Sequence, residues 1–308
     1  LDWLGGGLRG FYIIFALAII CGGISTYLLT RQKEAVRLFT AGDDEQPFSI
    51  LFLEPLRDPN FRRFLLFGMT WTFAVNTASP FYVVYVLRNL SLPYSLAASF
   101  AVLGALADFI GMRTWGAVSD RTGNKPVIVI AAICAAPIPL LMLPANHSLL
   151  SIFLLLPFIY AAGGFFFAGY NLCTANILFN IAPRQRDTIF FAWWAALTGI
   201  ASGCGAICGG LLANWTGSSS INLGLFSIDG LKTVFLFSGV FRFLAVPLLR
   251  GLREPGSAHT AQALRAVLPW RGTRDGVLNL PVHLDRQAHQ IEQESEFWPL
   301  FGRVQKKA

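Results

Sequence analysis

The chain has 308 residues, a mass of 33.8 kDa, a mean hydropathy of +0.55 and a net charge of +7, with 54% hydrophobic and 13% charged residues. A soluble domain carries about 25% charge, so half that amount beside this much apolar content excludes a disordered chain and an ordinary soluble globule. The basic residues stand between apolar blocks instead of clustering on one face, which argues against a nucleic-acid partner and for a lipid bilayer.

Apolar runs fall at 11–30, 61–86, 94–113, 126–144, 149–179, 188–213 and 231–250. Backbone polar groups in lipid must be satisfied within the segment, so runs of about 20 residues predict helices. The expected fold is all-α, a polytopic membrane bundle of about seven transmembrane helices. The first run precedes Arg31, is too long for a signal-peptide core and offers no convincing cleavage site, so residues 1–30 read as one spanning helix. Residues 31–60, with the acidic run Gly42 to Pro47, read as a solvated, flexible cytoplasmic linker. Residues 61–250 hold the remaining six runs, and the tail 251–308 is expected to be cytoplasmic and mostly poorly ordered. The run 149–179 is too long for one straight crossing, and a tilt, a bend at Gly163 and Gly164, or an extension beyond the bilayer would absorb the excess.

Placing residues 31–60 inside puts eleven basic residues on the cytoplasmic side before the tail is counted. Only Arg9, Arg88 and Lys232 lie opposite. This is a positive-inside pattern, with the N-terminus outside and the C-terminus in the cytoplasm, as in a bacterial inner membrane. Cys21, Cys134, Cys173, Cys204 and Cys208 all lie in apolar stretches, with no disulfide framework and no metal-ligand spacing. Cys204 and Cys208 share a helix face and read as small packing residues. No hydrolase, redox or nucleotide motif is present, so neither an enzyme nor a bound cofactor or metal is expected.

After the third run the chain reads Gly116-Ala-Val-Ser-Asp120-Arg121-Thr-Gly123-Asn124-Lys125-Pro126. A loop here would use Gly116 for close helix approach, Asp120 to cap a helix start and attract Arg121, and Gly123 for a tight turn. Gly116, Asp120, Arg121, Gly123 and Lys125 resemble, at the same offsets, the signature loop of the major facilitator superfamily, G-x-x-x-D-R-x-G-R-R/K, with Asn124 in place of the first closing basic residue. Asp58-Pro59-Asn60-Phe61-Arg62-Arg63 is similar to the approach to that family's seventh helix. Asn171 to Arg186, with the Gly-rich span ending at Ala213, is similar to its tenth and eleventh. The resemblance spans roughly residues 5–250. It implies the sixth helix, the central linker and the C-terminal six-helix half of a secondary transporter that moves a small organic solute by alternating access. The substrate path of that family lies between two halves, so the resemblance also implies a missing N-terminal half or a second copy.

Polar groups inside spans are costly and mark function. Three stripes at helical spacing supply the candidate substrate contacts: Trp71 and Asn76 beside Thr72 and Ser79; Tyr160, Asn171 and Thr174 with Phe167; and Trp194 with Thr198. Aromatics beside amides and hydroxyls suit a neutral or weakly polar solute, although small and polar residues also mediate helix packing, as Gly199-x3-Gly203 and Gly205-x3-Gly209 would. Two ionisable residues lie well inside spans. Asp108 reads as a partner for the motif cations in preference to a proton-coupling carboxylate, and Arg242 is placed to snorkel toward the cytoplasm. Two other readings compete: a seven-helix receptor, which would also carry Asp-Arg near the third helix end, and a non-transporting truncated protein or assembly subunit. Two inverted three-helix repeats would separate the transporter from the receptor.

Overall fold

The computed structural model describes residues 8–31, 48–183, 186–216, 221–222, 227–228 and 230–254. The chain divides into residues 1–263 and 264–308, and the second unit lies outside the described residues. The acidic run Gly42 to Pro47 and the tail beyond Glu254 lie outside them too. The helices are α1 (Leu8–Thr30), α2 (Phe48–Arg57), α3 (Pro59–Val84), α4 (Tyr94–Thr122), α5 (Asn124–Ala135), α6 (Leu156–Ile181), α7 (Asp187–Thr216) and α8 (Gly230–Ala245). Short 3-10 segments extend α5 over Ile138–Met142 and α8 over Val246–Gly251. A two-residue antiparallel pairing, Ile221 opposite Ile228 and Asn222 opposite Ser227, is the only strand pairing among the described residues.

Among the described residues, five segments are long and apolar enough to cross a membrane: Tyr94–Thr122, Asn124–Met142, Ser151–Ile181, Asp187–Thr216 and Gly230–Gly251. The protein is an all-α integral membrane bundle. In α1 the apolar stretch Phe15–Thr30 is shorter, and every side chain from Phe15 to Arg31 is exposed. A helix apolar on all sides is stable only in lipid or against other protein. Helix α3 is 26 residues long but more polar, and it is well buried through Phe61, Phe64, Phe67, Trp71, Ala74, Thr77 and Ala78. Shielding by its neighbours permits threonines and an asparagine on a helix at membrane depth.

The packing of α3–α8 is built from two equivalent triplets. Helix α3 packs on α7 and α8, helix α6 packs on α4 and α5, α4 lies against α5, and α7 lies against α8. Exchanging α3, α4 and α5 for α6, α7 and α8 leaves these pairings unchanged. Three crossings separate α3 from α6, so the triplets run in opposite senses, the pattern of an inverted repeat.

Glycines set the two closest helix pairs. A Cβ at Gly164 of α6 would collide with the Gly104 carbonyl of α4. The carbonyl of the next residue on α6, Phe165, accepts from Trp115 Nε1 of α4 at 2.8 Å. On α7, Gly205 and Gly209 lie against the Phe73 and Thr77 carbonyls of α3, whereas Gly199 and Gly203 have nothing within 4 Å. Only one of the two expected Gly-x3-Gly packing patterns is therefore used within this bundle, and Cys204, expected to pack, is exposed.

The 31-residue segment Ser151–Ile181 is helical throughout, including Gly163 and Gly164, and opens with a π-helical turn at Ser151–Leu155. At about 1.5 Å per residue it is roughly 46 Å long, longer than a hydrocarbon core of about 30 Å. Parts of both polar regions are structured. The stretch read as a flexible linker contains α2, which docks on α7. Trp193 Nε1 donates to the Phe52 carbonyl at 2.7 Å, and Arg186 pairs with Glu54 at 2.7 Å. The first tail residues are also ordered: Asn60 exchanges two hydrogen bonds with the Arg253 backbone, at 2.9 and 2.8 Å.

Candidate functional site

The signature segment is mostly helix. Helix α4 continues to Thr122, so Gly116, Asp120 and Arg121 lie in its last turns, and only Gly123 separates it from α5. At φ 87 this glycine reverses the chain in a conformation that side-chain-bearing residues rarely adopt. Gly116 meets only Leu172, at an ordinary 3.7 Å, so it does not bring two backbones together as expected. Asp120 is exposed at the α4 end and does not cap α5. The cap comes from Glu254, beyond α8. Its carboxylate accepts from the Lys125 backbone N–H at 2.6 Å and the Asn124 N–H at 3.3 Å. Asn124 Nδ2 donates to the same carboxylate at 2.9 Å, and its Oδ1 accepts from Asn176 at 2.9 Å. A carboxylate suits free amides at a positive helix end, and asparagine at position 124 can serve both partners where a basic side chain could not. One network thus ties the α4–α5 turn to α6 and to the end of the α8 segment.

The larger cavity, of about 580 Å³, opens among α3, α4, α6 and α8. Its lining includes Ser79, Tyr82, Asp108, Tyr160, Phe167 and Arg242. Arg242 does not snorkel. It is 2% exposed, donates from one terminal nitrogen to the Ala135 carbonyl at 3.2 Å, and holds its guanidinium 5.6 Å from the centre of the Phe167 ring. The Tyr82 side chain lies beside it. The snorkelling expectation fails because α5 and α6 enclose the side chain and supply partners locally. Asp108 also departs from its expected role. It sits in mid-α4, facing this cavity, about 20 Å along the helix from Arg121 at 1.5 Å per residue. Among the described residues, no ion pair joins Asp108 to Arg242 or to any other cation. Two polar atoms of the lining have no partner, Arg242 Nε and the Tyr160 hydroxyl.

A second cavity of about 300 Å³ is lined by Thr72, Tyr170, Asn171, Thr174 and Trp194, among others. Trp194 stacks on Phe64 with centroids 4.6 Å apart, and the Thr174 hydroxyl is buried without a partner. Trp71 packs against one ring from each lining. Its buried indole is 5.3 Å from the Tyr170 ring and 6.3 Å from the Phe167 ring, those two rings are 6.1 Å from each other, and its Nε1 is unpaired. Of the stripe residues, Tyr160 therefore joins the charged cavity, while Asn171, Thr174 and Trp194 share the smaller one. Asn76 and Thr198 line neither; each donates to a carbonyl four residues back on its own helix, Thr72 at 2.9 Å and Trp194 at 2.6 Å.

The sequence profile of the Major Facilitator Superfamily matches the chain twice, over residues 2–163 and 114–284. The chain belongs to the major facilitator superfamily. No curated protein matches it. A seven-helix receptor is thereby set aside, in agreement with the inverted triplets. For this major facilitator, sequence reasoning missed Tyr82 and Glu254. Tyr82 continues the helical line Val75, Ser79, Tyr82 on α3, a signal available in the spacing. Glu254 lies 130 residues from Asn124 and could be connected to it only through the fold.

Proposed function

We propose that α3–α8 form one half of a facilitator that carries a small organic solute by alternating access, with the cavity around Arg242, Asp108 and Tyr160 as its solute pocket. The observation that carries this reading is the convergence of two ionisable side chains from separate spans, α4 and α8, on one cavity of about 580 Å³. Intramembrane charges are expensive and persist where they serve a pathway, and solute pockets commonly measure about 300–1,000 Å³. Helices α1 and α3 add two further spans. A second six-helix half, either a separate segment or a second copy, completes the path. Gly199 and Gly203 on α7 and the exposed Asn171 on α6 present small and polar groups to it. The Glu254 network holds the cytoplasmic end of α5, and the basic residues orient the protein with its N-terminus outside and its C-terminus in the cytoplasm of a bacterial inner membrane.

Uptake and export assays in proteoliposomes containing the full-length protein test this. A carried solute whose transport falls at least about tenfold in Arg242→Gln, with the fold intact, supports the pocket. Undiminished transport in that variant removes it. Reporter fusions after residue 254 that report from the outer side would overturn the orientation.

A further inference from the structure

Arg242 and Asp108 face the same space, carry opposite charge and do not pair with each other. Arg242 is nine-tenths or more buried and leaves Nε without a partner, and the Tyr160 hydroxyl, on the same lining, is unpartnered as well. A guanidinium with a free N–H and a free phenol on one lining are two donors without acceptors, and together they suit a carboxylate. An unpaired Asp108 on the same lining works against a simple anion, because it would repel a second negative charge, and it works in favour of a cationic group. The lining also offers apolar and aromatic surface from Val75, Ile138, Ile159 and Phe167.

We propose that this cavity is a site for a small zwitterion, with its carboxylate on Arg242 Nε and the Tyr160 hydroxyl, its ammonium on Asp108, and its apolar body against Phe167 and Ile159. This rests on the reading of the cavity as the solute pocket, and it replaces the neutral solute expected from the stripes alone. A site with both charges fixed discriminates against a ligand that lacks either group, because one buried charge is then left without a partner.

Isothermal titration of the full chain in lipid nanodiscs provides the test, using two series. One is L-phenylalanine, 3-phenylpropanoate and 2-phenylethylamine. The other, with a longer charge separation, is 6-aminohexanoate, hexanoate and hexylamine. In at least one series the zwitterion should bind at least about tenfold more tightly than both single-charge analogues, about 1.4 kcal/mol. Asp108→Asn should abolish the advantage over the acid without weakening the acid, and Arg242→Gln should abolish the advantage over the amine. The wild-type series stands by itself should either variant misfold. Binding of an acid or an amine as tight as that of its zwitterion overturns the proposal, as does absence of binding in both series. Transport of another solute without zwitterion binding overturns the zwitterion site alone. Zwitterion binding by a full-length protein that transports nothing overturns the transporter reading and leaves the site standing.

Discussion

Replacing Glu254 removes the side chain that caps α5 among the described residues. Its carboxylate accepts two backbone N–H groups, at 2.6 and 3.3 Å, and the Asn124 amide at 2.9 Å. Loss of a helix N-cap costs about 0.5–2 kcal/mol, and loss of a negative charge at a helix N-terminus about 0.3–1 kcal/mol. Glu254→Ala should therefore destabilise the bundle by about 2 kcal/mol. Glu254→Gln keeps one acceptor oxygen and loses the charge, and should cost about 1 kcal/mol. Thermal unfolding in detergent reads both, and about 2 kcal/mol corresponds to a midpoint lower by roughly 4–8 °C. The order wild type, Gln, Ala is the specific expectation. An alanine variant that melts with the wild type would refute the capping argument. Equal losses for Gln and Ala would refute the division between hydrogen bonding and charge.

Gly205→Ala and Gly209→Ala should each destabilise by about 1–3 kcal/mol, because the added methyl meets the α3 backbone, whereas Gly203→Ala should melt as the wild type does. Breaking the half-exposed Arg186–Glu54 pair with Arg186→Gln should cost less than about 1 kcal/mol in the same assay. Trp194→Ala should lose its stacking on Phe64, about 0.5–1.5 kcal/mol beyond the lost buried area, read as a lower midpoint in the same assay.

The spans were legible because lipid leaves helices as the only economical backbone, and the apolar runs mark α4 to α8 to within a few residues at most ends. The motif end of α4 was not. Its charged last turns look like a loop when hydropathy is the guide, yet hydrogen bonding continues the helix to Thr122 because nothing before Gly123 breaks it. Helix α2 was hidden for a related reason: its stability comes from docking Phe52 and Glu54 on α7, a contact absent from local sequence. At the site, Tyr160, Asp108 and Arg242 could be singled out by type and depth, but their meeting could not, since they come from three helices. Asn76 and Thr198 had the right chemistry and face, and their hydrogen bonds go to their own helices.

The central claim is that solute passes through the cavity between Arg242 and Asp108. Gly163 lines that cavity and has nothing within 4 Å of a Cβ, so Gly163→Cys places a thiol there without crowding. With the five native cysteines replaced, uptake by Gly163→Cys proteoliposomes should be lost after complete reaction with a bulky maleimide, and the carried solute should slow that reaction. Full uptake after complete modification would contradict the claim.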